Sequence, residues 1–276
     1  MGLHKCIFCL EESDGFNTVE HIVPESLGNI DDILTNAVCD KCQNYLGTEI
    51  ENFVLSKTPF GFWRTISGTK TKKGKNPFFD PSQAVSKRGK IDNYHPLTDN
   101  NITMHPADNE SIIEVTTDND KIRQEIFSGE RTNIKVVLTP KMLIYMGRFL
   151  GKIALEYWYK AFNYDVFDER FNGLRNYIRY GSVNEVWPVM LGQLTENTLT
   201  YKAISKFEEG RTLYAYSFYK DNKANLILFN FDIGCERYSI ILNCKYPNGS
   251  DFTDYFLSAL CNGTMGLPTI LHYSLK

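Results

Sequence analysis

The sequence lacks a long uninterrupted apolar segment. Its most apolar stretch, residues 142–162, is broken by four charged side chains: Arg148, Lys152, Glu156 and Lys160. A helix that crosses a membrane needs about 20 predominantly apolar residues, so we expect no membrane span. Residues 1–6 lead directly into a cysteine motif and lack the apolar core of a secretory signal peptide. We therefore expect a cytoplasmic protein.

A strong excess of charge of one sign is also missing. The formal net charge is -3 over 276 residues, which does not mark the whole chain as a binder of nucleic acid. The charge is unevenly distributed, however. Residues 1–60 carry three Lys and ten Asp or Glu, whereas residues 61–92 carry eight Lys or Arg and two Asp.

A basic stretch beside an acidic one can attract a polyanion. The same charge run is equally typical of a solvated, mobile loop. If the stretch contacts phosphates, the candidate residues are Lys70, Lys72, Lys73, Lys75, Lys87 and Arg88.

The sequence also lacks internal repeats and low-complexity tracts. Its length exceeds that of one typical domain and suffices for a real core. We predict a small N-terminal module, residues 1–58, and a larger body, residues 59–276. Both mix strands and helices, so the predicted fold class is α+β.

Four of the seven cysteines form two Cys-x-x-Cys pairs. Cys6 and Cys9 make the first pair, and Cys39 and Cys42 make the second. In a reducing compartment, thiols at this spacing bind metal rather than form disulfides. Four thiolates complete a tetrahedral zinc site and leave no open position. The pattern therefore predicts structural Zn²⁺ that folds the module and does no chemistry.

Between the pairs, the sequence predicts two strands and a helix. Residues 19–23 and 34–38 are rich in β-branched and apolar residues, and residues 40–52 show helical spacing. On a regular strand, the adjacent Glu20 and His21 point to opposite faces. A twisted end or a bulge would be needed to bring both to one site.

The body is predicted to hold a long helix and antiparallel strands. The helix begins near Thr139 and Pro140, which suit a cap and a first turn, and it ends near residue 162. Shorter helices are expected over residues 168–180 and 252–260. Predicted strands cover residues 111–117, 121–127, 133–138, 212–219, 226–231 and 238–243, the last three forming a meander. The aromatic segment 60–66 is interpreted as a strand or a link.

The module resembles the HNH endonucleases, the ββα-metal nucleases, in the branch braced by two Cys-x-x-Cys pairs. The resemblance rests on EHIVP at residues 20–24, on Asn36, and on CDKCQN at residues 39–44. It covers roughly residues 4–56. The three positions that name the family would be His21, Asn36 and Asn44.

The resemblance implies hydrolysis of DNA phosphodiester bonds. His21 would be the general base on a water molecule, and Asn36 would hold the imidazole and its loop. Glu20 and Asn44 would supply oxygen ligands to Mg²⁺ or Mn²⁺. Glu20 stands where the family usually has Asp or His, and Asn44 stands where many members have His. Glu49 and Glu51 are possible further ligands but are more often solvated helix carboxylates.

Two functions follow as hypotheses. The first is an HNH endonuclease acting on DNA, in which residues 59–276 serve substrate grip, regulation by a ligand, or binding of a protein partner. The family's habits suggest anti-phage defence or a mobile element. The second is a non-catalytic zinc-braced module that binds nucleic acid or protein. Cleavage of DNA in the presence of Mg²⁺ or Mn²⁺ discriminates between them.

Overall fold

The computed structural model describes fourteen segments of the chain. They are residues 3–29, 31–67, 74–75, 77, 102–106, 113–117, 120–130, 133–135, 140–181, 187–193, 214–222, 225–234, 236–245 and 272–274. These segments combine helices with antiparallel sheets, which confirms the α+β class. Among the helices in these segments, none has both the length and the apolar character that a membrane span requires.

The N-terminal module contains two small antiparallel sheets and a helix. Its elements are β1 (His4–Lys5), β2 (Glu12–Ser13), β3 (Val19–His21), β4 (Ile33–Thr35) and α1 (Asp40–Tyr45). Strand β1 pairs with β2, and β3 pairs with β4 so that Glu20 lies opposite Leu34. A 3-10 turn, Glu25–Leu27, follows β3. The predicted order of strand, loop, strand and helix is confirmed.

Helix α1 continues through a π-helical segment, Leu46–Glu51, into α2 (Asn52–Lys57). Helix α3 (Pro59–Ser67) follows directly. The interpretation of residues 60–66 as a strand or link is therefore wrong. Pro59 suits a first helical turn, and the aromatic side chains of Phe60 and Trp63 are buried against the body. Tertiary burial outweighs their strand propensity.

The first part of the body contains β5 (Ile102–Pro106), β6 (Ile113–Thr117), α4 (Asp120–Phe127), β7 (Asn133–Lys135) and α5 (Pro140–Phe162). Strands β5 and β6 pair with each other. The strand predicted over residues 121–127 is wrong, because α4 occupies it. Its charged side chains alternate in sequence but also pair at helical spacing: Arg123 lies 2.9 Å from Asp120, and Lys121 lies 3.9 Å from Glu125.

The second part contains α6 (Asn172–Tyr180), β8 (Val189–Gln193), β9 (Tyr214–Asp221), β10 (Leu226–Ile233), β11 (Glu236–Ile241) and β12 (His272–Ser274). Strand β12 pairs with β7. The other strands form one antiparallel sheet in the order β8-β11-β10-β9. The meander β9-β10-β11 confirms the prediction, and β8 was not predicted. The helix predicted over residues 252–260 lies outside the described residues.

Helix α5 lies at the centre of the core. One cluster of buried apolar side chains extends from Cys6 in the module, through α5, to Leu242 after β11. Gly151 lets α6 approach α5 closely, since a Cβ there would lie 3.0 Å from Leu174 and 3.1 Å from Ile178. Module and body therefore share a hydrophobic core. The boundary at residue 58 stays a prediction.

Candidate metal centre

The four cysteines of the module converge on one point. The Sγ atoms of Cys6, Cys9, Cys39 and Cys42 all lie within 4.8 Å of one another, and those of Cys9 and Cys39 are 3.5 Å apart. A tetrahedral zinc site with Zn–S bonds of about 2.3 Å needs sulfurs about 3.8 Å apart. The donor set and its spacing thus fit a zinc ion.

The thiols already perturb one another. A hydrogen bond from Cys42 lowers the pKa of Cys6 to about 5, whereas burial raises the pKa of Cys9 to about 12. Sulfurs this close cannot all be thiolates without a cation between them. Zinc supplies that charge and holds them together.

The zinc knuckles also fix α1 relative to β3. Cys39 is the N-cap of α1, and its Sγ accepts the N–H of Cys42 at 3.5 Å. Asp40, the first residue of the helix, accepts hydrogen bonds from Asn17 and Thr18, which lead into β3. The sulfur-bound end of the helix is therefore tied to the strand that ends in His21.

His21 lies at the end of β3 with its side chain 31% exposed. Its Nδ1 is 3.3 Å from Oε1 of Glu25, in the 3-10 turn that follows. A carboxylate beside Nδ1 keeps the proton on that nitrogen and leaves Nε2 able to accept one. The sequence analysis missed Glu25, although its position four residues after His21 was a usable signal.

Asn36 holds a loop. It has a positive φ of 56°, and its Oδ1 accepts the backbone N–H of Phe16 at 2.9 Å. Asn tolerates this left-handed conformation better than most residues. Of the two tasks predicted for Asn36, fixing the loop has a visible contact. In the described part of the chain, the partner of the His21 ring is Glu25 instead.

Glu20 and His21 point to opposite faces of β3, as expected of a regular strand. The register with β4 is uninterrupted. Glu20 faces inward and is only 4% exposed. Its Oε1 lies 2.6 Å from Nζ of Lys152 in α5.

Lys152 is the centre of a buried group that we call the Lys152 cluster, comprising Lys152, Glu20, Glu51 and Glu156. Its Nζ lies 2.9 Å from Glu51 and 3.1 Å from Glu156. Glu51, with its side chain 20% exposed, is therefore not the solvated carboxylate that was expected. Glu49 is exposed.

The Lys152 cluster contains three carboxyl groups and one ammonium. Burial alone would lower the pKa of Lys152, but the surrounding carboxylates raise it well above its usual value. Burial raises the pKa of Glu156. Two buried oxygens, Oε2 of Glu20 and Oε1 of Glu156, have no hydrogen-bond partner among the described residues. The cluster can therefore take up further positive charge, as protons or as a cation.

Helix α1 presents two neighbouring amides in different directions. Gln43 donates from Nε2 to the carbonyl oxygen of Val19 at 2.6 Å and so faces β3. Asn44 is exposed. Successive helical side chains point about 100° apart, so only one of the pair faces the strand. Asn44 as a metal ligand stays a prediction, and Gln43 is a neighbouring amide that was overlooked.

Lys75, one of the six basic residues predicted to contact phosphates, is described and is exposed. The other five, Lys70, Lys72, Lys73, Lys87 and Arg88, lie outside the described residues. Their role in binding stays a prediction.

The strand pair β3-β4, the helix α1 and the four-sulfur site define a zinc-braced ββα module. Residues 6–58 match the family model described as HNH endonuclease. This segment of the chain thus belongs to the HNH endonuclease family, which confirms the resemblance. Comparisons of the chain with curated proteins and with solved structures give no match.

Proposed function

We propose that the protein is a metal-dependent endonuclease that hydrolyses phosphodiester bonds in DNA. The observation that carries the proposal is the setting of His21 within the HNH segment. Its ring is partly exposed, and a carboxylate lies beside Nδ1. A base of this kind must be reachable by water and must present a free nitrogen.

His21 acts as the general base. Its Nε2 takes a proton from a water molecule as the water oxygen attacks phosphorus, and the bond to the leaving 3′ oxygen breaks. Glu25 keeps the imidazole in the correct tautomer and stabilises the positive charge that forms on the ring. General base catalysis of this type contributes about 10²–10⁴-fold to a rate.

The donor chemistry fits Mg²⁺ or Mn²⁺. Both ions prefer hard oxygen ligands, and the predicted ligands are Glu20 and Asn44. Oε2 of Glu20 has no hydrogen-bond partner among the described residues, and the Lys152 cluster has an excess of carboxyl groups. When bound, the ion neutralises charge on the phosphate and on the leaving oxygen.

The body is proposed to grip the substrate, to respond to a regulatory ligand or to bind a protein partner. The basic stretch that includes Lys75 supplies cations for DNA phosphates. The paired thiols favour the cytoplasm, and the family resemblance favours anti-phage defence or a mobile element.

One observation favours the second function, a non-catalytic zinc-braced module that binds nucleic acid or protein. Glu20, a predicted ligand of the catalytic ion, is buried and bound to Lys152 rather than open to solvent. A protein of this second kind would bind DNA or a partner and would cleave nothing.

Cleavage of a supercoiled plasmid tests the proposal. The wild-type protein, loaded with zinc, should nick or linearise the plasmid when Mg²⁺ or Mn²⁺ is added. His21→Ala should abolish cleavage and keep the zinc. His4→Ala is the matched control, since His4 lies in β1 of the same module.

Undiminished cleavage by His21→Ala would remove His21 from the mechanism. Absence of cleavage by the wild type with every divalent ion tested, together with retained DNA binding, would support the second function.

A further inference from the structure

The ammonium group of Lys152 is buried at the junction of body and module. Its side chain is 1% exposed and belongs to α5, the central helix of the body. Besides the carboxylates, its Nζ lies 3.3 Å from the carbonyl oxygen of His21 and 3.4 Å from that of Ile22. Lys152 therefore reaches the end of β3, the strand that carries the predicted base and a predicted metal ligand.

Lys152 leaves the two oxygens of Glu20 in different situations. Oε1 is held at 2.6 Å. Oε2 is buried and has no hydrogen-bond partner among the described residues. A carboxylate held through one oxygen keeps a fixed orientation, and its other oxygen is available to a cation. Hydrogen bonds to ligating groups hold metal ligands in this way in many proteins.

The attachment of the body to the module does not depend on this buried charge. Asp32, in the loop between β3 and β4, accepts hydrogen bonds from Tyr157 and Tyr214, and it also pairs with Lys160 of α5. Arg175 of α6 donates to the carbonyl oxygen of Ile7 at the first knuckle.

A buried ion pair is also weak evidence of stabilisation. Removing the charges from water costs several kcal/mol per ion, and well-packed apolar residues often do as well. Lys152 thus has a position and a cost that attachment alone does not explain.

We propose that Lys152 is a positioning residue of the nuclease centre. It holds Glu20 through Oε1 and so presents Oε2 to the catalytic divalent ion, an inference that rests on the proposed function. Helix α5 of the body is then part of the centre rather than an accessory to it.

Binding of Mn²⁺ to the full-length, zinc-loaded protein tests the proposal. Free Mn²⁺ is measured by electron paramagnetic resonance during a titration, and plasmid nicking is measured in parallel. The test variant combines Lys152→Met with Glu156→Gln, which removes one positive and one negative charge from the Lys152 cluster. The single variant Glu156→Gln isolates the effect of Lys152.

Lys160→Met is the matched control. Lys160 belongs to the same helix and pairs with Asp32, another carboxylate of the same module, but it lies outside the Lys152 cluster. Zinc content and thermal melting verify that each variant is folded. If the double variant does not fold, Lys152→Gln with Glu156→Gln replaces it, because the amide still donates a hydrogen bond.

The expected result is a loss of about 10- to 100-fold in Mn²⁺ affinity, the range found when the partners of ligating groups are removed, with a comparable loss of nicking. Glu156→Gln and Lys160→Met should keep the wild-type affinity. An unchanged or tighter Mn²⁺ affinity in the Lys152 variant, in a wild type that binds Mn²⁺ and nicks DNA, overturns the role of Lys152 alone. A wild type that neither binds Mn²⁺ nor nicks DNA overturns the proposed function and this role together.

Discussion

Nδ1 of His21 lies 3.3 Å from Oε1 of Glu25, and the two residues are four positions apart. The pairing depends on the 3-10 turn Glu25–Leu27, which returns the chain toward the end of β3. Asn36, the residue predicted to hold the ring, is bound to Phe16 instead. The orientation of the proposed base therefore depends on a carboxylate.

Replacing Glu25 should slow cleavage without abolishing it. Glu25→Ala frees the imidazole to rotate and to change tautomer, so we expect a lower kcat with a smaller loss than that of His21→Ala. His21→Ala itself should lose about 10²–10⁴-fold, the usual contribution of a general base. Single-turnover cleavage at saturating Mg²⁺ measures both.

Glu49→Ala is the control for the Glu25 experiment, because Glu49 is an exposed carboxylate of the same module. It should cleave at the wild-type rate. Equal rates for Glu25→Ala and Glu49→Ala would show that Glu25 does not hold the base.

Loss of zinc should unfold more than the N-terminal module. Structural zinc contributes about 10–16 kcal/mol in zinc-finger peptides, and the module shares its hydrophobic core with the body. Cys42→Ser should lose zinc and lower the melting temperature of the whole chain. Metal analysis and calorimetry measure the two effects.

Cys244→Ser provides the comparison for zinc loss. Cys244 is a free, partly buried thiol outside the four-sulfur group, so its replacement should leave the zinc content unchanged. A Cys42→Ser protein with wild-type zinc content and melting temperature would contradict the four-cysteine site.

The contact of Asp32 with the body should make stability depend on acid pH. Burial raises the pKa of Asp32, but hydrogen bonds from Lys160, Tyr157 and Tyr214 outweigh it and lower the pKa below 3.8. A carboxyl group with a lowered pKa stabilises the fold fully above its unfolded-state pKa of about 3.9. This contribution is lost as the pH falls further, through the folded-state pKa.

Melting curves of the wild type and Asp32→Asn between pH 3 and pH 7 test this expectation. The difference in stability between the two should be constant near neutral pH and should shrink below about pH 4. A difference that stays constant down to pH 3 would mean that Asp32 does not titrate differently in the folded state.

The basic stretch should govern the salt dependence of DNA binding. For double-stranded DNA, each phosphate contact contributes about -0.9 to the slope of log K against log salt concentration. Replacing Lys70, Lys72, Lys73 and Lys75 with Gln should make this slope shallower by up to about 0.9 for each residue in contact. Fluorescence anisotropy over a salt series measures the slope.

Lys121→Gln is the control for the salt experiment. Its side chain is 85% exposed on α4, outside the basic stretch. An equal change of slope in this control and in the fourfold variant would show that general charge, not the stretch, attracts DNA.

Local patterns were sufficient for much of the fold. Two Cys-x-x-Cys pairs predicted the four-sulfur site, because ligand spacing is a property of short segments. The long helix α5 and the meander β9-β10-β11 followed from apolar periodicity and turn residues. Where charges alternated in sequence, as in α4, periodicity alone chose the wrong structure. In α3, the aromatic side chains suggested a strand although burial against the body made a helix.

By itself, the sequence determined the zinc knuckles, the strand-loop-strand-helix order of the module and the identity of His21 as its histidine. These depend on residue types a few positions apart. Only the tertiary structure decided that Glu20 and Glu51 meet Lys152, because that contact depends on how α5 packs against the module. It also decided that Glu25 rather than Asn36 holds the imidazole, since the 3-10 turn sets which carboxylate or amide reaches the ring.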